Sequence, residues 1–328
     1  MADPLLSAQR SEYLDGQQRR HVAAERGRAL WRGEWPTWLL IAVIHGGWWT
    51  TLAHWERLGI VAATVLMIWW CAWYMSLQHE LIHGHPTSTP WLNRLFGYLP
   101  LAVWYPWRLY RESHLRHHND FHLTLPALDT ESFYVTPQAW EGMNRPLRAL
   151  YWFNKTFWGR MLVGPALSIG GTWLEVVRQP LRGNWRDTPM WLGHFAMLGA
   201  LLGTVDMAFG VTPWYFLLAI AYPAQSLTMI RSYYEHRPAA QHKERIVLNE
   251  SCPVLRLLFL NNNLHLVHHD LPSLPWYLLP RVYAARRADY RQRSGGFHLP
   301  GYGTLVRRHG FSAIDAPVHP HLATGERA

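Results

Sequence analysis

Cysteine is nearly absent: the chain has two in 328 residues, Cys71 and Cys252, far apart and inside or beside apolar stretches. That excludes a disulfide framework and a cysteine-rich zinc site. Charge is scarce as well, at 16% of residues against 49% hydrophobic, which excludes a disordered chain and argues against an ordinary water-soluble domain. Acidic residues are the rarer sign, 22 against 31 basic, for a formal charge of +9, and 29 of the basic residues are arginine. No internal repeat, low-complexity tract or Pro/Gly/Ser linker divides the chain. Residues 1–35 are polar and arginine-rich, without the apolar core and small-residue cleavage site of a signal peptide, and are expected to form a cytosolic arm.

Tryptophan and histidine are abundant instead, with 20 of each. Four apolar runs carry much of the tryptophan, and the first, Pro36 to Ala53, has no charged residue. At 1.5 Å per residue such a run just crosses a hydrocarbon core of ~30 Å. Transmembrane helices are expected at about 36–53, 58–77, 190–210 and 212–230, with Gly210 to Pro213 as a tight turn. Leu95 to Trp107 and Met161 to Trp173 are too short to span and read as interfacial or re-entrant pieces. Thirty of the 31 Lys and Arg then fall on one side, which puts both termini in the cytoplasm. The arginines flank apolar runs and do not cluster on a polar face, so no nucleic-acid partner is expected. The expected architecture is all-α and integral to the membrane, with about four spans and a cytosolic helical cap. Its parts are the arm 1–35, a membrane domain 36–290 and a tail 291–328.

The histidines concentrate in three segments. His79-Glu80-Leu81-Ile82-His83 is H-x-x-x-H, while His114-Leu115-Arg116-His117-His118 and His265-Leu266-Val267-His268-His269 are H-x-x-H-H. Positions i, i+3 and i+4 share one helix face, so each segment aims two or three imidazoles at a common point. Composition alone yields an H-x-x-H-H roughly 0.07 times in such a chain, so two are a poor fit to chance. The four-span topology places all three clusters, and His236, at one membrane face. Nine imidazoles are too many for one tetrahedral zinc and suit two metals with open positions. His45 and His194, inside apolar runs, read as packing residues. His21, His54, His242, His298, His309, His319 and His321 read as solvated.

The three boxes resemble the integral membrane fatty acid desaturase and hydroxylase family, and their flanks, His83-Gly84-His85-Pro86-Thr87 and Leu274-Pro275-Trp276-Tyr277, look like bacterial members. The resemblance covers about residues 36–290. It implies a non-haem diiron centre held by His79, His83, His114, His117, His118, His236, His265, His268 and His269, with O2 as co-substrate. It further implies a lipid, fatty acyl or small amphipathic substrate, and a bacterial inner-membrane location with the metal site facing the cytoplasm. No His-Pro-Gly-Gly segment of a fused cytochrome b5 is present, so electrons are expected from a separate ferredoxin or similar carrier. Some members carry an asparagine four residues before the extra histidine; here Ser232 stands there, with Asn261, Asn262 or Asn263 as substitutes. His85, His122 and Asp270, next to His269, are further candidates for support of the ligands, as are Glu80 and Glu112. Desaturation and hydroxylation are both open. Two other readings use the same residues: an intramembrane zinc protease built on His79-Glu80-Leu81-Ile82-His83, with Asp129 as a further ligand, and a membrane metal transporter.

Overall fold

The computed structural model describes residues 10–119 and 121–320; residues 1–9, Asp120 and 321–328, His321 among them, lie outside the described residues. The described chain is mostly helical. In chain order the helices used below are α1 (Gly16–Gly27), α2 (Trp35–Ala53), α3 (Ile60–Ile82), α4 (Trp107–Asn119), α5 (Arg145–Asn154), α6 (Gly164–Leu181), α7 (Thr188–Phe209), α8 (Tyr222–Ser232), α9 (His265–Asp270), α10 (Leu279–Ala285), α11 (Arg287–Arg293) and α12 (Tyr302–His309). Two short strands, β1 (Leu248–Asn249) and β2 (His298–Leu299), pair in parallel with Leu248 opposite His298. The chain divides into two compact units. One comprises Trp35–Arg111 and Gly164–Thr228; the other comprises the chain up to Glu34, Glu112–Val163 and everything from Met229 on.

The first unit is built from the apolar runs. α3 and α7 are long and apolar enough to cross a membrane. α2 is a 19-residue helix without a charged residue, but Trp, Thr, Gly and His dilute its hydropathy. The last run is not one regular helix: an α turn at Pro213–Tyr215 leads into π-helical geometry over Phe216–Ala221 and then into α8. Trp48, Met67, Tyr74 and Phe216 fill the interior, while Val61, Val65, Leu192 and Met207 point outward and are mostly exposed. Large aliphatic side chains on an outer helix face suit an apolar surrounding.

α3 runs five residues past the expected end at Leu77, because Leu81 and Ile82 are buried and prolong its packed face. Its last turns are tied to the following segment. The Tyr74 hydroxyl sits 2.7–2.9 Å from the carbonyls of Phe96, Gly97 and Leu99, and Gln78 Nε2 donates to Gly97 O at 2.8 Å. Gly97 has no room for a side chain, since a Cβ would lie 2.6 Å from the Trp107 ring. The run Leu95 to Trp107 starts at the exposed Leu95 in the last turn of the helix Pro90–Gly97 and continues as an irregular connection, buried from Leu101 to Trp104, in which Val103 has φ 36°, a left-handed conformation unusual for a β-branched residue. The Val103 carbonyl accepts from His194 Nε2 at 2.7 Å, which accounts for that intrahelical histidine as packing. Met161 to Trp173 is not one short piece: a short helix ends at Leu162, and Gly164 begins the 18-residue α6.

The second unit has its own core. Val22 of α1 joins Leu266 and Val267 of α9, Leu279 and Val282 of α10, and Tyr290 of α11. The N-terminal segment is therefore part of a packed core. Asp15 caps α1 by accepting from Gln18 N, Gln18 Nε2 donates to Tyr290 Oη at 2.7 Å, and Arg286 pairs with Asp15 at 2.7 Å. The same segment meets the end of α9, where Glu12 N donates to Asp270 O at 2.6 Å. The Asp270 side chain is fully buried between Lys243, 2.6 Å from Oδ1, and Arg293, 2.9 Å from Oδ2, and Glu12 pairs with both cations. Removing one member of a buried ion network leaves the others uncompensated. Asp270→Ala is expected to destabilise the chain by about 2–3 kcal/mol, the partial exposure of both cations keeping the loss below that of a wholly buried pair. Chemical denaturation in detergent measures it, and a loss below about 0.5 kcal/mol would show that solvent already screens the network.

Candidate metal centre

α4 and α9 each present histidines at i, i+3 and i+4, and each is held by apolar residues between them: Leu115 on α4, Leu266 and Val267 on α9, all fully buried. The helical spacing sends the rings to two places. His117, His236, His265 and His269 form one group whose ligand-capable nitrogens lie within 4.8 Å of one another. His114, His118 and His268 belong to another. Each H-x-x-H-H box thus contributes to both groups, the i+3 ring turning away from the i and i+4 rings.

In the first group the Nε2 atoms face each other. His117 to His236 is 3.1 Å, His236 to His265 is 3.1 Å and His265 to His269 is 3.0 Å. Two of the outer nitrogens are occupied elsewhere. His117 Nδ1 is 2.7 Å from Asp129 Oδ1, and His265 Nδ1 is 3.0 Å from both Asn262 Oδ1 and Glu235 Oε1. A neutral imidazole has one N–H, and donating it from Nδ1 leaves a bare lone pair on Nε2. Rings held in this way converge on one point, where a cation can take the place of the protons their nitrogens otherwise carry, so this donor set fits a transition metal that accepts imidazole nitrogen.

The second group is arranged in the same way. His268 Nε2 lies 3.0 Å from His118 Nε2, and His114 Nδ1 lies 2.9 Å from Glu131 Oε1. His79, in the last turn of α3, and His83, which caps that helix, are buried side by side with ring centroids 4.8 Å apart, and His79 Nδ1 is 3.5 Å from the buried Glu80 carboxylate.

Burial and mutual proximity set the protonation of these rings. Burial pushes His236 down to about 3, and burial together with neighbouring imidazoles holds His265 and His269 well below the ordinary histidine value. Burial also lowers His114, against the pull of Glu131. His117 is the exception: burial opposes its proton, but the charges of Glu131 and Asp129 outweigh that and raise it to about 9. The carboxylates differ too. Burial lifts Glu235 to about 7 despite Arg231 beside it, whereas His114 and His117 overcome burial and hold Glu131 well below the usual range.

Of the supporting residues expected from sequence, several do other work. Asp270 faces Lys243 and Arg293, not an imidazole, because those cations close over its carboxylate. Asn263 Nδ2 donates to Asn249 O at 2.5 Å and so braces β1; its neighbour Asn262 is the one that reaches His265. His122 is exposed, Ser232 is half-buried at the end of α8, and His85 is buried next to Gly84. Glu112 is half-buried on α4. The carboxylates that hold rings, Asp129, Glu131 and Glu235, were not singled out for that task in the sequence. The available signal was two acids spaced by one residue shortly after the second box, in a chain with only 22 acids. Asp129 is fixed by Thr124 N and Glu131 N, which orient it toward His117. That use leaves it no role as a protease-type zinc ligand.

The family model of fatty acid desaturases matches residues 53–300, well over half of the chain. No curated protein matches it.

Asp129→Asn keeps the side-chain size but weakens the acceptor for His117. It is expected to lower metal retention by roughly 10–100-fold in chelator competition, with the helical circular dichroism unchanged. Undiminished retention would show that this carboxylate does not orient the ring.

Proposed function

The chain belongs to the fatty acid desaturase family and is an oxidoreductase of the desaturase and hydroxylase type, and from that premise we propose that it is an O2-dependent membrane diiron desaturase. A hydroxylase of the same family is the alternative, since both begin by taking hydrogen from an unactivated C–H. The observation that carries the reading is the two groups of converging imidazole nitrogens, with the Nδ1 sides of His117, His114 and His265 anchored on carboxylates and an amide. We assign one metal to His117, His236, His265 and His269, and the other to His114, His118 and His268 with His79 and His83 from the first box. Two irons so held would supply O2 activation.

The protein's own part is placement. Asp129, Glu131 and Glu235 hold His117, His114 and His265 through Nδ1 so that their Nε2 atoms point forward, and Leu115, Leu266 and Val267 close the ligand helices against water. Desaturation removes two hydrogens from the substrate, which provides two of the four electrons that reduce O2 to water. The other two come from a donor. A net charge of +9 supports an acidic, ferredoxin-type protein in that role. The substrate class we assign is a fatty acyl chain or a small amphipathic metabolite held among apolar helices. Four spans are proposed at α2, α3, α7 and the run from Pro213 to Ser232, with both termini and the metal site on the cytoplasmic side of a bacterial inner membrane. The distribution of Lys and Arg supports that orientation.

Metal analysis with Mössbauer spectroscopy on iron-57 protein tests the reading: two irons per chain and a coupled diferric signal are expected, and one tightly held zinc without iron would overturn it. His118→Ala and His268→Ala are each expected to lose iron and O2 consumption while still inserting in the membrane; full activity in either sinks the ligand assignment. Glu80→Gln is expected only to weaken the iron enzyme, whereas it would abolish a zinc protease.

A further inference from the structure

The second unit buries another polar cluster that the metal chemistry does not use. Lys155, one of only two lysines in the chain, has its Nζ 3.0 Å from Asp315 Oδ1 and 3.5 Å from the centroid of the Tyr134 ring. Arg160 is 1% exposed; its guanidinium lies 3.8 Å over the Phe133 ring, and Nε donates to Asn154 O at 3.3 Å. Arg160 Nη1 is buried without a hydrogen-bond partner, and so is the amide oxygen of Asn154. Lys155 thus has one carboxylate partner, whose charge also acts on Arg160, and Asp315 also accepts from the Tyr134 hydroxyl.

Among the described residues no other carboxylate acts on either cation. Burial raises the phenols of Tyr134, Tyr233 and Tyr234, so these stay neutral. Burial pushes Lys155 down to about 8 and Arg160 to about 10, which leaves both protonated at neutral pH. Aromatic faces attract cations but do not neutralise them. A buried charge without a counterion is costly, and a guanidinium edge without an acceptor is costlier still.

We propose that Arg160, with Lys155, forms a binding site for one oxyanion, a carboxylate or a phosphate. These are the anions whose paired oxygens match a guanidinium edge. The cluster reaches the surface at Asp315, whose side chain is 22% exposed. The segment bearing Asp315 is pinned by Ile314 N to Lys155 O at 2.9 Å and by Trp158 N to Gly310 O at 3.1 Å. The walls belong to the segments that hold the metal ligands. Tyr134 follows Glu131 closely, and Tyr233, whose hydroxyl donates to Lys155 O at 2.8 Å, lies just before Glu235 and His236. An anion seated here is the acid end of a chain-bearing ligand or a free ion, and the two have different signatures.

The test is thermal unfolding of the full chain in neutral detergent at constant ionic strength, with chloride replaced by acetate, hexanoate or inorganic phosphate. A ligand that binds only the folded state raises the midpoint, here by about 2–4 °C near saturation. Arg160→Met is expected to abolish the rise and to be no less stable than the parent in chloride alone, because the unpaired charge is gone. A rise with acetate and phosphate alike assigns a free anion; a rise confined to hexanoate assigns a chain-bearing carboxylate. No rise with any of the three, or a rise that persists in Arg160→Met, overturns the proposal. Should Arg160→Met fail to fold, Arg160→Lys replaces it: it keeps the charge but loses the planar fork and is expected to show at most half the rise. Iron content of the same samples is read separately, so a failure of the diiron assignment leaves this result standing.

Discussion

Imidazole nitrogens that face one another across 3.0–3.1 Å, with His117 and His265 anchored through Nδ1 on the far side, are the constraint around which the second unit is organised. Such an arrangement is unfavourable on its own, and only packing strong enough to hold the rings makes it persist. Buried apolar residues sit between the histidines of both H-x-x-H-H boxes, Leu115 in one and Leu266 with Val267 in the other, and anchor each helix while its histidines face the site. The chain beyond α8 is fastened to the third box through its backbone: Val247 N donates to Glu235 O and Leu266 N to Val247 O, at 3.0 and 3.1 Å. His236 and His265 are thereby brought face to face by a short extended stretch that sits between them in sequence.

The scarcity of acids acquires a meaning in this setting. Glu25, Glu80, Asp129, Glu235 and Asp270 are all buried, where they orient imidazoles or pair with cations. Acids used inward are not available to offset arginines outward, and the exterior is more positive than the net charge conveys. At Lys155 and Arg160 the imbalance extends into the interior, and there it creates a place for an anion.

The sequence disclosed the parts of the centre that depend on helical repeat. His114, His117 and His118 announce a shared face through spacing alone, as do His265, His268 and His269. How those faces divide was not legible, because it depends on the rotation of α4 against α9, which packing sets. The carboxylates escaped for a related reason: Asp129 and Glu131 sit in an irregular segment with no period to reveal which way a side chain points. Asp270 looked suited to its neighbour His269, yet adjacent residues on a helix diverge by about 100°. The apolar runs were visible by composition, but the π-helical stretch at Phe216–Ala221 and the continuation of α3 to Ile82 were not, since both follow from neighbours distant in sequence. α1 appeared as part of a polar arm because a single valine, Val22, carries its apolar contact.

The place of α1 bears on how the protein is made. Its partners Arg286 and Tyr290 are 271 and 272 residues further along the chain. At ribosomal speeds of about 5–20 residues per second, α1 waits roughly 15–55 s before the segment that covers it has been synthesised. The apolar runs emerge in the interval, so insertion precedes closure of the core that backs the third histidine box. Assembly is thus ordered by translation, with a segment made before the apolar runs being among the last to find its place.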